Sequence, residues 1–558
     1  MKLVSTVSYA ALLMSLGLAP MSAQAQDDDT GAEAFDLGTI VITARRTEEA
    51  IEDVPGSVVV ATDEDLKGAN IKRTDDLLLQ FPNVNFTDGT TTTDLEISIR
   101  GLSDVNGAAS TGPVNGIFLD GVLLNPTGSN LAINPRLLDL ERVEVAFGPQ
   151  GTAFGRGTIG GAINYVPKKP TDELEYTLGY ELGSRADGEV RAIANVPILP
   201  DGKLSARVVA FAAFDDGFVP SVTLDDDLET DDYGVRLSLR SQLTDRFSLD
   251  FSASFDQTDF DSTRTATVAS IEADDPINEN SFFTDNQVER FFSSLRGTYE
   301  FDAGTLTANL SHADSNLDGG LDGDFSSIDF LSSDLFTETE STALEFRFEG
   351  NEFDLPGALG TLSYNAGVSL SDSITNTDSL SNVGPDGLLI LGPLPLPAPV
   401  ILGILGGAGL LGPAGAELGS FNVVSTNEVE NFSIYGDLRW KPIEPLELTA
   451  GLRWSRDRVR ANSESTSFGL VATGFAPLGI PTVIPSEPFE EETETFSAFT
   501  PSASVRYEWT DDFSTYFLFS TGFRPGGFTS AGTLPITPFD EERAKNFEIG
   551  FRSSFLEN

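Results

Sequence analysis

Residues 140–169 read LERVEVAFGPQGTAFGRGTIGGAINYVPKK. A short strand, Val143 to Phe147, runs into Gly148, Gly151, Gly155, Gly157, Gly160 and Gly161. A second strand, Ala162 to Val166, follows at once. Gly101 stands upstream in a similar setting. Glycine at this density is needed where backbone takes positive φ or lies tight against another wall. Gly155-x-Gly157-x-x-Gly160 also has the spacing of a dinucleotide-binding turn. That turn must open a helix within a βαβ unit. Here the strand-like Gly161-Ala162-Ile163-Asn164-Tyr165-Val166 follows, so nucleotide binding is rejected.

Upstream, residues 54–169 read as one compact α/β module, a suitable length for a small domain. Val58-Val59-Val60 is a strand, Thr62-x-x-Asp65 is a helix start, and Thr74 precedes a short helix through Leu77, Leu78 and Leu79 that Pro82 ends. Ile97 to Gly101 and Ile117 to Gly121 read as further strands. Residues 26–53 form a polar N-terminal segment that holds the β-branched run Thr39-Ile40-Val41-Ile42-Thr43. Residues 1–25 have an apolar run and the small-x-small site Ala23-Gln24-Ala25, the pattern of a secretory signal peptide.

Downstream, residues 170–558 switch to period two. Phe432, Ile434, Leu438 and Trp440 alternate with Ser433, Tyr435, Asp437 and Arg439, and Leu446 to Trp454 repeats the alternation. Apolar-out and polar-in is the pattern of transmembrane barrel strands, and Trp440 and Trp454 suit an interfacial girdle. A soluble β-sandwich would alternate too, but connection lengths decide against it. Short turns at 244–246, 302–304, 441–445 and 510–512 alternate with long loops, expected at Asp215–Asp232, Phe260–Val288, Ser373–Glu428 and Ala461–Glu494. The fold class is therefore mainly β: an antiparallel transmembrane β-barrel with an N-terminal α/β plug domain in its lumen.

The motifs Arg100-Gly101, Asp120-Gly121, Leu140-Glu141-Arg142-Val143-Glu144, Gly148-Pro149-x-Gly151, Gly155 and Gly160-Gly161-x-Ile163-Asn164 resemble, in order and spacing, the plug of the TonB-dependent outer-membrane receptors. Gly522 to Phe528 and Phe547 to Gly550 resemble barrel segments of that family. Phe147 and Gly157 depart from it, standing where arginine and asparagine are common. The resemblance implies about twenty-two strands. About fourteen are readable here, so the chain is expected to lack roughly eight at its C-terminal end, since open sheet edges in lipid cost several kcal/mol per unpaired group. It also implies that Thr39, Ile40, Val41, Ile42 and Thr43 form the TonB box, which adds as an edge strand to a partner's sheet. Arg100 and Arg142 should pair with acidic residues on the barrel wall, as a few ions in a wet lumen. The plug loops Ser103–Gly112 and Asn125–Asn130 should face the ligand through Ser103, Asp104, Asn106, Asn125 and Asn130.

The function so implied is active import across the outer membrane of a Gram-negative bacterium by a monomer, energised by proton-motive force through TonB. Ferric siderophore is the family's commonest cargo; cobalamin and oligosaccharide stay open. A passive porin or adhesin would need an open lumen, and the plug glycines argue against it. The net charge of −52 (86 acidic, 34 basic residues) argues against nucleic acid as partner. Outer-membrane lipid and a small-molecule ligand are the other partners expected. There is no cysteine for a thiolate zinc site or nucleophile, and the single histidine, His312, is read as surface at the outer end of a strand and disfavours haem. No catalytic set stands out, and no cofactor or bound metal is expected. Asp318 to Asp324 (DGGLDGD) lacks the calcium-loop pattern and reads as a solvated loop. The Pro-interrupted apolar stretch Gly387–Leu411 is expected to be a lid or docking loop.

Overall fold

The structure is a computed structural model. It describes residues 41–553 apart from 44–45, 48, 89–94, 104–111, 127–135, 185–186, 201, 218, 224–228, 262–276, 283, 324–326, 358, 385, 387–417, 470–485 and 530–535. Thr39, Ile40, Asp104, Asn106, Asn130, the signal peptide and the 387–411 stretch therefore lie outside the described residues.

The plug opens with β1 (Val41–Ile42) paired to β2 (Glu49–Ala50). Then come β3 (Val58–Thr62), α1 (Asp63–Gly68), α2 (Thr74–Leu78), β4 (Val84–Asp88), β5 (Leu95–Ile99), β6 (Leu102–Ser103), β7 (Asn115–Leu119), β8 (Val122–Leu123), β9 (Leu140–Phe147) and β10 (Gly161–Pro167). Its main sheet has the order β3-β9-β10-β7-β8, with β10 parallel to β7 and antiparallel to β9. The helix start read at Thr62 is a capping box: Thr62 Oγ1 accepts from Asp65 N, and Asp65 Oδ2 accepts from Thr62 N. It aims Leu66 into a core with Leu77, Ile99, Val143 and Ile163. The second helix begins at Thr74 itself, capped by Asp76, which accepts from Arg73 N.

Two expected strands end earlier than read. Arg100-Gly101 (φ +52 and +78) and Asp120-Gly121 (φ +50 and +80) are two-residue turns joining β5 to β6 and β7 to β8. Two consecutive positive φ angles define the hairpin turn that suits twisted strands. The arginine and aspartate heads are thereby held out at the tips of stiff loops.

Among the described residues after β10, an antiparallel sheet of fourteen strands dominates. These are β11 (Glu175–Leu182), β12 (Gly188–Leu199), β13 (Leu204–Asp215), β14 (Thr230–Thr244), β15 (Phe247–Asp261), β16 (Asp285–Phe301), β17 (Gly304–Asp322), β18 (Leu331–Asp354), β19 (Thr361–Val383), β20 (Gly419–Ile443), β21 (Leu446–Gly469), β22 (Glu487–Thr510) and β23 (Phe513–Arg524). A small hairpin, β24 (Gly527–Thr529) with β25 (Thr537–Phe539), precedes the last sheet strand, β26 (Glu542–Ser553), which pairs with β23. Strands β11 and β26 are the two edges of the sheet.

The outward face is apolar and exposed, with Leu295, Leu310, Ile434 and Leu452 among its residues, whereas Ser433, Arg453 and Asp457 on the inward face are buried. That inverts a soluble sandwich. Near the short turns, Tyr299 packs tilted against Phe301 (centroids 4.6 Å) and Tyr507 against Trp509 (4.6 Å), and Trp440 Nε1 donates to Leu359 O (2.7 Å). Rings with one polar end suit the membrane–water boundary. Among the described residues no helix is long and apolar enough to cross a membrane; strands do the crossing.

Several loops are shorter than read. β19 continues to Val383 and β20 starts at Gly419; β21 runs to Gly469 and β22 starts at Glu487; β14 starts at Thr230 and β16 at Asp285. Beyond the lipid both faces of a strand meet water, so the period-two signal fades although the ladder goes on. For the same reason Asp318 to Asp322 belong to β17 rather than to a loop, and His312 lies mid-strand, its Nδ1 3.0 Å from Thr342 Oγ1.

Candidate functional site

The plug is ringed by charge. Asp232 on β14 receives Arg73 (2.8 Å) and Arg136 (3.1 Å), and Glu189 on β12 receives Arg136 (2.8 Å). Asp139 is gripped twice by Arg207 on β13, at 2.6 Å to Oδ1 and 2.7 Å to Oδ2, and Arg236 lies at 3.5 Å. Asp120 meets Arg296 on β16 (2.9 Å), Arg46 faces Glu345 on β18 (3.8 Å), and Glu49 pairs with Arg439 on β20. Arg156 faces Asp457 on β21 (3.8 Å), Asp53 pairs with Arg506 on β22 (2.7 Å), and Arg100 with Glu548 on β26 (3.1 Å). Contacts from β12 round to β26 show the sheet wrapped about the plug.

Arg100 reaches the barrel, but Arg142 pairs with its own neighbours Glu141 and Glu144 (2.8 Å to the latter). Strand alternation puts 142 and 144 on one face of β9, so the nearest carboxylate is local. Nor are the ions few and wet. The side chains of Asp139 and Arg207 are 2% and 4% exposed. Burial pulls the Arg156 guanidinium below its ordinary pKa, against the opposing pull of Asp457 and Asp372. Buried pairs barely offset their own desolvation, yet removing one partner is costly. Such an interface holds firmly while complete and fails sharply once broken.

The glycine loop seats the apex. Gly151 N donates to Thr521 O (3.2 Å), and its Cα lies so close that a Cβ would stand 2.6 Å from that oxygen. Pro149 packs against Gly522. Gly155 (φ +87) lies under the Arg453 guanidinium, where a Cβ would fall 2.8 Å from Cζ. Gly148 closes the loop by donating to Gly160 O (2.8 Å), and Gly161 abuts Ala146 O.

The described part of the 39–43 segment is docked. Ile42 is fully buried beside Val54. Thr43 N and Oγ1 donate to Glu144 Oε1 (2.9 and 3.1 Å), and Asn164 Nδ2 donates to Thr43 Oγ1 (3.2 Å). The Glu144→Ala variant removes this acceptor and leaves Thr43 N unpaired, at roughly 1–3 kcal/mol. A single cysteine at Thr43 should then react several-fold faster with a water-soluble maleimide; an unchanged rate would refute that role for Glu144.

Of the ligand-facing candidates, Ser103 is exposed at the end of β6. Asn125 is not available: it is buried, its Oδ1 accepting from Ile117 N (3.0 Å) and its Nδ2 donating to Asn115 O (3.3 Å). It holds the loop base instead. Residues missed at the sequence level are Arg46, Arg136, Asp139 and their barrel partners. The barrel partners' only signal is a charge on the inward parity of a strand, which does not name its partner, and the three plug residues lie outside the strands.

Comparison with known proteins agrees with this geometry. Residues 271–558 match the TonB dependent receptor-like beta-barrel, and residues 50–162 match the TonB-dependent Receptor Plug Domain. The chain belongs to the TonB-dependent receptor family. This is a family of outer-membrane transporters, not enzymes, and the protein is placed in the Gram-negative outer membrane. The iron-regulated outer membrane virulence protein of Vibrio cholerae is 32% identical over 194 residues, 33% of this chain and 28% of that protein. The ferrichrome outer membrane transporter/phage receptor of Escherichia coli is 32% identical over 171 residues, 30% of this chain and 22% of that one. The chain thus matches under a third of these relatives' length. The ferric yersiniabactin uptake receptor FyuA of Yersinia pestis shares the fold with a TM-score of 0.72 at 19% identity, over 90% of this chain and 70% of that one. The siderophore receptor PiuA of Acinetobacter baumannii shares it with a TM-score of 0.66 at 18% identity, over 92% and 72%.

Proposed function

We propose that this receptor imports a ferric siderophore, as a monomer, by engaging TonB through residues 39–43. The observation that carries the reading is the docking of Val41 to Thr43. A two-residue strand pair and the Glu144 and Asn164 contacts hold the segment to the plug, so a partner offering a longer sheet edge can take it over. The siderophore assignment draws on the structural neighbours, among them a ferric yersiniabactin uptake receptor and a siderophore receptor. In this reading residues 54–169 are the plug and 170–558 the barrel. Arg100, Asp120, Gly148, Pro149, Gly151 and Gly155 seat one in the other. Ser103 and the loops beyond it meet the ligand.

Deleting residues 39–43 should reduce uptake of radiolabelled ferric siderophore by whole cells to background while leaving its binding to isolated membranes intact. Unimpaired uptake by the deletion would overturn the coupling role. Binding of no ferric siderophore by those membranes, or equal binding of every ferric chelate, would overturn the cargo.

A further inference from the structure

Three cavities lie stacked along one wall of the barrel, between the plug and strands β14, β15 and β16. The uppermost, about 110 Å³, is lined by Arg236, Ser254 and Arg290. The middle one, about 40 Å³, is lined by Ser238, Ser252 and Ser294. The lowest, about 700 Å³, is lined by Gln242, Ser248 and Thr298 and lies at the short-turn end. The order along each strand is unbroken: 290, 294, 298 on β16; 254, 252, 248 on β15; 236, 238, 242 on β14. The large chamber is polar and carries both signs, with Arg46, Arg240 and Arg347 against Glu300, Glu345 and Glu349. Its size is that of a small-molecule site, and its lining suits a hydrophilic, hydrated solute.

Asp120 and Arg296 line both the middle and the lowest cavity. Arg296 Nη1 lies 2.9 Å from Asp120 Oδ2, and its Nη2 donates to Asp120 O (2.8 Å). Asp120 sits at the tip of the hairpin turn joining β7 to β8. That turn is tied to the coupling segment by two routes. Arg46 Nη1 donates to Gly121 O (2.7 Å), and Asn164 accepts from Gly121 N (3.0 Å) while donating to Thr43 (3.2 Å). Thr43 and Arg46 are themselves walls of the large chamber. A second carboxylate waits for Arg296 on the barrel. Asp250 is its direct neighbour across β15 and β16, and Asp250 Oδ1 is buried without a hydrogen bond, Arg240 Nε standing at 3.5 Å.

We propose that the large chamber is a transit site for a hydrophilic solute, and that the Asp120–Arg296 pair is the gate between it and the seam above. Drawing Thr43 and Arg46 toward the periplasm withdraws the Asp120-Gly121 turn, and Arg296 passes from Asp120 to Asp250. The plug need not leave the barrel for the passage to open along β14–β16. The idea rests on the import reading for its direction of travel and for the pull on Thr43 and Arg46.

The chain has no cysteine, so single thiols report cleanly. In membranes presenting the short-turn face, a cationic methanethiosulfonate reagent should modify Thr298→Cys rapidly in every background. Ser294→Cys, above the gate, should react roughly ten-fold slower. Adding Arg296→Ala or Arg46→Ala should bring Ser294→Cys close to the Thr298→Cys rate, and Arg296→Lys should keep it slow. Fast labelling of Ser294→Cys in the parent, or slow labelling with Arg296→Ala, overturns the gate. Should Arg296→Ala fail to assemble, Asp120→Asn removes the charge from the plug side, and slow labelling there overturns it equally. Neither ligand nor energy enters this assay, so its failure leaves the import reading standing and is distinguishable from failure of uptake.

Discussion

The Asp139→Ala variant is expected to loosen the plug from the barrel by about 3–5 kcal/mol. Asp139 lies between the plug strands, at φ +54 just before β9, and its carboxylate receives both Arg207 bonds and the nearby Arg236. Its backbone is engaged too: Asp139 O accepts from Arg236 Nη2 (3.0 Å) and from Lys168 N (3.1 Å). Alanine would leave two guanidinium groups facing each other in a nearly dry site with one shared counter-charge gone; Arg207 would keep only the half-exposed Glu175 (3.1 Å). That asymmetry, far more than the net worth of the intact pair, sets the size of the effect. Limited proteolysis of the plug across a urea series, with the barrel monitored by heat-modifiable gel mobility, gives the measurement. A midpoint within error of the parent would show that the pair is dispensable. Asp139→Asn, which keeps the shape and one acceptor, should fall between the two.

Gly151→Val should unseat the plug apex. A Cβ at 151 would stand 2.6 Å from Thr521 O and 3.2 Å from Gly522 Cα, and both are barrel backbone that a side-chain rotation cannot clear. Accommodation means separating the loop from β22 and β23, which breaks Gly151 N to Thr521 O, Thr500 Oγ1 to Gly151 O (3.1 Å) and Thr152 Oγ1 to Thr500 O (2.8 Å). Overpacking alone costs about 1–3 kcal/mol, and each lost bond adds about 1 kcal/mol, so the sum rivals the Asp139 effect. Plug protection against protease should fall accordingly, while Gly68→Ala, at a position open on every side, should be neutral. Equal protection in the two variants would contradict the close approach.

Much of the architecture was legible in residue patterns. Strand alternation marked the barrel because lipid on one side and a polar lumen on the other impose period two on every crossing strand. The glycines of 148–161 marked the plug apex because the backbone of that loop lies against the wall. Where those constraints lapsed, the reading lapsed. Strand ends beyond the lipid were read as loop, and Arg100-Gly101 and Asp120-Gly121 were read as strand ends although they are turns. Asn125 looked like a polar loop residue offered to a ligand, and its amide in fact satisfies buried backbone.

The sequence by itself determined the class of fold, the order of plug and barrel, and the face each barrel residue presents, since these follow from local periodicity and from glycine's freedom. Only the tertiary structure decided which charge meets which. Arg142 turned to Glu144 two residues away, Arg100 to Glu548 at the far end of the chain, and Arg296 to the tip of a plug turn. Partner choice among like charges depends on strand register and on how the sheet wraps the plug, and those are set by packing between distant parts of the chain that no short stretch of sequence contains.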